Sequence, residues 1–261
     1  MKNVLGRKQS MTVEDENKWW QVINNIEKYV SFKEVEIATV EACERINKIV
    51  AGKKAAFSWS GGKDSLVNAH LCQRVGIKNS YCIVTDCEYP SWLNYMQYNK
   101  PPECEIINAG FGLKYLFEHP EMIFPKGKTF ARWYSQVQHA NHRKYMKIKG
   151  IDVVVFGRRN IDGNICGKNG YSINRNNQVS FSPIYDWSHE LFFAYMHYNN
   201  IEIPFIYKWK RGFYNGTHCW PERKVDTVEQ GYKEIYEIDP LIVVEAAKIL
   251  PSAKKFLEGL K

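Results

Sequence analysis

The chain has 261 residues, enough for one large domain or for a main domain with a smaller appendage. Lysine and arginine exceed aspartate and glutamate by 36 − 28 = 8, and a net positive charge of this size attracts polyanions. No stretch approaches the roughly 18 apolar residues of a membrane span, and the N-terminus has no apolar signal core. The seven cysteines form no C-x-x-C pair. We therefore expect reduced thiols, a cytoplasmic location and no membrane partner.

The first 50 residues are predicted to be helical. Apolar residues recur at helical spacing in 14–31 and 33–50, which predicts two amphipathic helices packed on the body of the protein. We treat 1–50 as an N-terminal helical segment. Its aromatic residues Trp19 and Trp20 could form the interface of a homo-oligomer.

Residues 51–200 alternate between strand and helix patterns. Four apolar runs are predicted strands, at 55–59, 81–86, 104–109 and 152–157, and three stretches are predicted helices, at 64–76, 91–100 and 187–198. We expect Gly76 to end the first of these helices, and Asp186 to cap the last, with Trp187 packed beneath it. This alternation predicts an α/β fold with a doubly wound parallel sheet. Ligands of such sheets bind beyond the carboxyl ends of the strands.

The rest of the chain is predicted to be loop and helix. Residues 160–177 are rich in glycine and asparagine and read as a mobile loop, either a lid or plain disorder. Residues 201–261 form a substrate-side and helical extension. Basic and aromatic residues mix at 207–214 and at 141–150, as they do in proteins that grip phosphates and stack bases. Nucleic acid is therefore one expected partner, and a solvated basic face is the alternative.

The stretch SGGKDS at residues 60–65 follows the first strand and opens the next helix. Glycines after a strand allow a tight turn whose N–H groups approach an anion, and the helix start adds its positive dipole end. Lys63 would supply a mobile cation, and Ser60 and Ser65 would supply hydroxyl donors. Asp64 would either cap the helix or hold magnesium. The sequence therefore predicts a phosphate site, and a bare strand-to-helix turn is the alternative.

Charged residues also follow the second and fourth strands. Asp86 and Glu88 end the second strand, where carboxylates can coordinate magnesium or contact ribose, although Asp86 could instead cap a turn. Arg158 and Arg159 follow the fourth strand. Guanidinium groups in that place can neutralise charge on a phosphorus centre or on departing pyrophosphate. A surface pair in salt bridges is the alternative.

One further pair is a candidate for chemistry. His218 and Cys219 could form a nucleophile with its base, or a metal pair, but adjacent side chains point apart in extended chain. His119, His139 and His142 are predicted to be isolated or on helix surfaces, without the partners that a zinc site needs.

These motifs resemble a known superfamily. Residues 60–65 match in full the SGGKDS signature of the PP-loop superfamily, the ATP pyrophosphatases and their relatives. Residues 85–90, TDCEYP, resemble the T-x-x-E-x-P pattern of the branch that holds phosphoadenosine phosphosulfate (PAPS) reductases and sulfurtransferase-like ATP pyrophosphatases. Residues 181–223 follow the order of that branch's later segments, so the similar segments span about residues 33–223.

The resemblance implies an adenine nucleotide alpha hydrolase-like, Rossmann-like fold with a PP-loop nucleotide-binding domain at 51–200. It implies an enzyme that uses ATP and Mg²⁺, cleaves ATP to AMP and pyrophosphate, and adenylylates a second substrate for sulfur or nitrogen transfer. A sulfur-donor protein is a further implied partner. The nucleotide-binding residues would be Ser58, Ser60, Gly61, Gly62, Lys63, Asp64, Ser65, Asp86 and Glu88, the catalytic ones Lys63, Asp64, Arg158, Arg159 and Cys219, and the metal ligands Asp64 and Asp86.

The departures from the family pattern weigh against other chemistries. PAPS reductases of this branch lack the loop lysine and carry a nucleophilic cysteine near the C-terminus, whereas this chain has Lys63 and no cysteine after Cys219. A four-cysteine iron–sulfur cluster has no visible ligand set. Sulfonucleotide reduction, FAD-synthetase-like nucleotidyl transfer and a non-catalytic nucleotide- or nucleic-acid-binding module stay open as alternatives.

Overall fold

A central β-sheet organises the protein. The computed structural model describes residues 4–6, 8, 11–174 and 177–260. Within them the sheet has six strands: β1 (Ala55–Ser58), β2 (Ser80–Val84), β3 (Cys104–Asn108), β4 (Val153–Val155), β5 (Tyr171–Ile173) and β6 (Val179–Phe181). Their spatial order is β3-β2-β1-β4-β6-β5, and every neighbouring pair is parallel except β5 with β6.

Helices connect and cover these strands. In the described part of the chain the α-helices are α1 (Val13–Ile23), α2 (Phe32–Val50), α3 (Lys63–Arg74), α4 (Pro90–Asn99), α5 (Leu113–Glu118), α6 (Gly127–Tyr134), α7 (Ala140–Lys149), α8 (His189–Tyr198), α9 (Gly212–Asn215), α10 (Val228–Ile238), α11 (Pro240–Ala247) and α12 (Pro251–Glu258). None of the described helices is both long enough and apolar enough to cross a bilayer.

Both faces of the sheet are buried, as the strand–helix alternation predicts. Side chains of successive strand residues point to opposite faces. Phe57 and Val155 therefore join the large hydrophobic cluster that includes residues of α2, α3 and α8. Ala56 and Val154 pack on the other face against Tyr145 of α7. The predicted doubly wound α/β fold is confirmed.

Both N-terminal helices begin at capping boxes, and the first helix is shorter than predicted. Thr12 caps α1 and Ser31 caps α2, each through a hydrogen bond from a backbone N–H three residues on. The first helix ends at Ile23 rather than running to residue 31, because two asparagines, which compete for backbone hydrogen bonds, follow it.

The tryptophans of α1 pack against α8 and α9 of their own chain. Trp19 is 2% exposed, and its ring lies 4.6 Å from that of His189 and 5.2 Å from that of Phe213. Trp20 also packs on Phe213, at 5.1 Å. Trp19 is therefore enclosed by its own chain, whereas Trp20 is only partly buried. A homo-oligomer interface that involves this segment stays a prediction.

The predicted mobile loop at 160–177 is partly ordered as a strand. β5 lies inside it and pairs antiparallel with β6, which the sequence analysis missed. Within this loop, the carbonyl of Lys168 accepts a hydrogen bond from the N–H of Tyr171. Arg175 lies outside the described residues. Three-residue strands carry too little pattern to stand out locally, and pairing of Val179 with Val153 secures β6.

The cap of α8 differs from the prediction. Ser188, not Asp186, accepts the hydrogen bond from the Leu191 N–H, at 3.1 Å. Asp186 instead accepts a hydrogen bond from Nη1 of Arg45 at 2.8 Å, which ties the entry of α8 to α2. Trp187 is buried as expected, 5.3 Å from the ring of Tyr195.

The three segments proposed from the sequence share one hydrophobic cluster. It includes Trp19 from the first segment, Phe193 from the second and Phe213 from the third. Their rings make edge-on or tilted contacts between 5.2 and 6.0 Å. The division at residues 50 and 200 therefore stays a prediction.

A buried ion pair anchors α10, and its removal should be costly. Oε2 of Glu234 accepts a hydrogen bond from Nε of Arg223 at 2.7 Å, and both side chains are at least 96% buried. Glu234→Gln should destabilise the protein by about 3 kcal/mol in urea denaturation, because it leaves the guanidinium without a counter-charge. Glu237→Gln on the same helix, whose contact with Lys210 is 3.5 Å and half exposed, is the control and should cost under about 0.5 kcal/mol. Equal effects of the two substitutions would contradict the assignment.

Candidate active site

The loop between β1 and α3 makes the turn that the sequence predicts. Gly61 has φ +71°, which glycine adopts without strain. Gly62 has an ordinary φ, but a Cβ there would lie 2.5 Å from Cγ2 of Thr217. The first glycine is thus required by its backbone conformation and the second by close packing. The N–H of Lys63 donates to the hydroxyl of Tyr207 at 3.2 Å.

The two serines of the loop stabilise the turn. Oγ of Ser65 donates to the carbonyl of Gly62 at 2.8 Å, and Oγ of Ser60 donates to Oγ of Ser65 at 3.4 Å. Ser60 also faces the cavity described next. Their predicted contacts with phosphate stay predictions.

A cavity of about 230 Å³ opens at the carboxyl ends of β1 and β2. Five residues predicted for the site line it: Ser58, Ser60, Glu88, Arg158 and Cys219. Three motifs that are far apart in the sequence are thus brought to one place, the edge where the strand order predicts ligand binding. Arg158 lies at its wall with the guanidinium carbon 4.2 Å from the centre of the Phe156 ring.

The other charged residues of the motifs form a buried cluster. Lys63 is 0% exposed, and its Nζ lies 2.9 and 2.7 Å from the two carboxylate oxygens of Asp64. Nζ also lies 4.7 Å above the ring of Phe192. The prediction that Lys63 supplies a mobile cation is therefore wrong, because its side chain is buried and paired with Asp64. Asp64 does not cap α3 either, since Gly62 holds the N-cap position.

Arg159 belongs to the same cluster and is fully buried, which rules out a surface salt-bridging pair for it. Its Nε donates to Oδ1 of Asp64 at 3.3 Å, and its Nη2 lies 2.8 Å from Oδ2 of Asp162. The contact with Asp162 lacks hydrogen-bond geometry, so Nη2 of Arg159 and both oxygens of Asp162 have no hydrogen-bond partner among the described residues. Nη2 of Arg159 is thus ion-paired with both Asp64 and Asp162, without an aligned hydrogen bond to either carboxylate.

A residue from the N-terminal segment reaches this cluster. Burial, with the charge of Lys63 next, lowers the pKa of Lys8 to about 8, while Asp162 and Asp64 oppose the shift. The Lys63 and Arg159 cations lower the pKa of the Asp162 carboxyl against the effect of burial. In the described part of the chain, Lys63 and Arg159 contact the carboxylates of Asp64 and Asp162, and Lys8 adds a third positive charge that interacts with them, an excess that suits an anionic ligand.

The far wall of the cavity carries two carboxyl groups. Oε1 of Glu88 accepts hydrogen bonds from N and Oγ1 of Thr85 at 3.1 and 3.2 Å. Burial raises the pKa of Glu88 to about 8, and the carboxyl of Glu222 adds to the shift. Oε2 of Glu222 lies 2.9 Å from Nδ1 of His218, while Oε1 has no partner among the described residues.

Cys219 faces the cavity without a base beside it. Burial raises the pKa of its thiol well above the usual range, and the carboxyls of Glu222 and Glu88 add to this. His218 pairs with Glu222 rather than with the thiol. The arrangement lacks the nucleophile–base contact considered from the sequence, and a catalytic role for Cys219 stays a prediction.

The two predicted metal ligands have different surroundings. Asp64 is held by Lys63 and Arg159, whereas Asp86 is exposed and accepts a hydrogen bond from Nδ2 of Asn108 at 2.6 Å. The described residues contain no group of three or more His, Cys, Asp or Glu side chains that could hold a metal ion. Magnesium commonly uses one or two carboxylates together with phosphate oxygens and water, so the assignment of Asp64 and Asp86 stays a prediction.

Sequence reasoning missed the helical wall of the cavity. His142 is buried there, not on a helix surface, with Nδ1 2.5 Å from the hydroxyl of Tyr81. Burial, and then the charge of Arg158, lowers its pKa to about 3, so the ring is neutral. The π-helical turn Ser135–His139 places Gln138 in the same wall. Such turns are frequent at functional sites, but no local sequence signal announces them.

A glycine loop after the first strand of a doubly wound sheet, with a cavity at the strand ends, is typical of nucleotide-binding α/β proteins. The chain matches the family model of the phosphoadenosine phosphosulfate reductase domain over residues 54–224, and it belongs to that family. It is therefore a member of the adenine nucleotide alpha hydrolase-like superfamily. No curated protein sequence matches the chain.

Several solved structures are similar to the chain. The phosphoadenylyl-sulfate (PAPS) reductase from Candida auris, in a phosphate complex, is similar with a TM-score of 0.51 and 12% identity over 69% of this chain and 92% of that chain. An NH3-dependent NAD synthetase from Campylobacter jejuni in complex with the nitrate ion has a TM-score of 0.46 and 15% identity, covering 86% and 92%. A U34-tRNA thiolase from Methanococcus maripaludis with its 4Fe-4S cluster has a TM-score of 0.45 and 15% identity, covering 86% and 80%. At 12% identity the likeness to the PAPS reductase concerns the fold alone.

The raised pKa of Glu88 predicts a pH-dependent stability. This carboxyl titrates near 4.5 in the unfolded chain and near 8 in the folded protein. Between these values the folded state holds a proton that the unfolded state has lost, so stability is full below the lower value and falls as pH rises towards the upper one. Glu88→Gln should remove this fall in thermal denaturation across the window, whereas the exposed control Glu103→Gln should keep it. A Glu88→Gln profile parallel to that of the original protein would refute the buried proton.

Proposed function

We propose that this protein is an ATP pyrophosphatase-type enzyme that cleaves ATP between the α and β phosphates. AMP would pass to an oxygen of a second substrate, and a sulfur or nitrogen nucleophile would then displace it. The observation that carries the proposal is the Gly61–Gly62 turn, which joins the cavity at the strand ends to a buried cluster with one excess positive charge.

The phosphate end of ATP fits the loop and the cluster. The backbone amides at the start of α3 and the positive end of that helix attract phosphate oxygens. Lys8, Lys63 and Arg159 supply three positive charges against the two of Asp64 and Asp162. Pyrophosphate is an anion that would make use of the excess charge.

The nucleoside end of ATP fits the cavity. Trp92 and Met96 offer an apolar wall, and Glu88, Gln138 and Glu222 offer polar atoms that can fix the orientation of a base or a ribose. The free oxygen of Glu222 suits a hydrogen-bond donor such as an exocyclic amine.

Magnesium fits the phosphate end through a single carboxylate. The side chain of Asp64 is 30% exposed, so one of its oxygens can turn from Lys63 to a metal ion that phosphate oxygens and water also hold. Such an ion would neutralise charge on the departing pyrophosphate.

The proposed reaction balances as a substitution at phosphorus. An acceptor oxygen forms a bond to the α-phosphorus, the bond from that phosphorus to the bridging oxygen breaks, and pyrophosphate leaves with the electron pair. Arg158 stands in the cavity wall, where its guanidinium can stabilise charge that develops on the α-phosphate. In the second step the nucleophile bonds to the acceptor carbon while the carbon–oxygen bond to AMP breaks.

Sulfonucleotide reduction is the second candidate, and the family match favours it. That reaction needs an accessible thiolate. Cys219 is buried with a raised pKa, and no cysteine follows it in the sequence. Adenylylation therefore accounts better for the residues of this chain.

The proposal is tested by incubating the protein with α-labelled ATP, magnesium and a panel of acceptors. We expect labelled AMP and a labelled adenylylated acceptor, with pyrophosphate released. Arg158→Ala should lower kcat by roughly 100-fold, the usual effect of removing one electrostatic donor to a transition state. Arg74→Ala, an exposed arginine at the end of α3, is the matched control and should leave the rate unchanged.

Two results would contradict the proposal. One is full AMP formation by Arg158→Ala, which would remove this wall of the cavity from the chemistry. The other is release of sulfite from PAPS with a thiol donor in the absence of ATP cleavage, which would assign reductase activity instead.

A further inference from the structure

One long segment beside the cavity contains no acidic residue. Residues 122–151 include seven lysines and arginines and neither aspartate nor glutamate, although acids make up 28 of the 261 residues of the chain. We name residues 122–151 the acid-free segment. Its core is a continuous helix formed by α6, the π-helical turn Ser135–His139 and α7, roughly 35 Å long at the usual rise.

This helix has two distinct faces. The inner face is buried, and Tyr134, Val137, Gln138 and His142 line the cavity at the strand ends. The outer face exposes six cations: Lys126, Lys128, Arg132, Arg143, Lys144 and Lys147. The same element therefore forms the wall of the candidate active site and a basic surface next to it.

Most of these charges have no counter-charge. Arg132 pairs with Glu121, and the less exposed Lys149 pairs with Glu105. Among the described residues, no carboxylate lies within ion-pair distance of the remaining five cations of the outer face. An unpaired row of this kind attracts a polyanion, and its effect extends over about 8 Å at physiological salt.

A second cavity adjoins the N-terminal end of the acid-free segment. It measures about 380 Å³, and its lining includes three cations, two aromatic residues and one acidic residue: Lys126, Arg211, Lys224, Phe130, Tyr214 and Asp226. The ammonium of Lys224 lies 4.9 Å and the guanidinium of Arg211 5.6 Å from the centre of the Tyr214 ring. Cations and aromatic faces are thus combined in one recess.

The two cavities are neighbours through their aromatic walls. The ring of Phe130 lies 5.8 Å from that of His218 and 6.5 Å from that of Tyr134, nearly parallel to the latter. His218 and Tyr134 line the first cavity, whereas Phe130 lines the second. A molecule seated in the second cavity therefore lies beside the place assigned to ATP.

We propose that the acceptor is a single-stranded nucleic acid, with its phosphodiester backbone along the outer face of the acid-free segment and a base in the second cavity. The phosphates would contact exposed cations such as Lys126, Lys128 and Arg143, and the base would stack on Phe130 or Tyr214. The inference rests on the proposed function, since it names the substrate of that site. An acidic protein would match the charge but has no use for the aromatic recess.

The test measures binding of labelled single-stranded RNA and DNA, each about 12 nucleotides long, to the full chain by fluorescence anisotropy over a range of salt. The variant Lys126→Ala/Lys128→Ala/Arg143→Ala should lower the slope of log affinity against log salt by about 2, and affinity roughly 50-fold at 0.15 M salt. The charge-matched control Lys33→Ala/Lys48→Ala/Lys78→Ala removes three exposed lysines away from this face and should bind as the original chain does.

A separate variant distinguishes stacking from charge. Phe130→Leu should weaken oligonucleotide binding about tenfold without changing the salt slope. The tighter binder of the two, RNA or DNA, identifies the class of nucleic acid that serves as the acceptor. ATP binding, measured by calorimetry, should be the same in all these variants, so a loss of oligonucleotide binding with ATP binding intact reports on this surface alone.

The inference is overturned if the triple variant binds oligonucleotides as tightly as the control, or if neither RNA nor DNA binds. It is also overturned if polyglutamate binds as tightly as the oligonucleotides and is lost in the same variant, which would indicate an acidic protein partner. Failure of the proposed function looks different, because oligonucleotide binding would then persist while no AMP is formed from ATP.

Discussion

Lys63 is fully buried and forms an ion pair with Asp64, and the surrounding structure supplies the further contacts that this buried charge needs. A buried charge is costly unless it is paired and further hydrogen-bonded. Asp64 therefore also meets Arg159, which in turn contacts Asp162 and the carbonyl of Ser188. Through these contacts the start of α3, the segment after β4 and the entry of α8 converge under one turn of main chain.

This convergence explains how one short loop lies between the cavity at the strand ends and the cluster of charged residues. The ion cluster contacts the loop through Lys63 and Asp64, and the hydroxyl of Tyr207 accepts a hydrogen bond from the Lys63 N–H. Its two glycines leave no room for side chains where Trp92 and Thr217 approach. The turn therefore has a cavity on one side and a cluster of charged residues on the other, an arrangement that the proposed substrate ATP would use at its two ends. The basic helix beside it would bind the second anion that we propose, a nucleic acid.

Local patterns in the sequence sufficed for four of the six described strands and for the loop. β1, β2, β3 and β4 and the turn at 60–65 follow from apolar runs and glycines that lie close together in the chain. The features that were missed or wrongly predicted depend on contacts between residues far apart in the sequence. They are the strand pairing that forms β6, the burial of Lys63, and the cap of α8, where Asp186 accepts a hydrogen bond from Arg45 instead. The site residues His142, Asp162 and Lys8 were missed for the same reason, since only the folded chain brings them to the loop.

A crystal structure with an ATP analogue that carries a methylene bridge between the α and β phosphates tests the central claim most directly. The account predicts the terminal phosphates on the amides of Gly61, Gly62 and Lys63, near Arg159, with the adenine in the cavity beside Trp92 and Glu88. An analogue bound in any other part of the molecule, with that loop and cavity empty, would contradict the account.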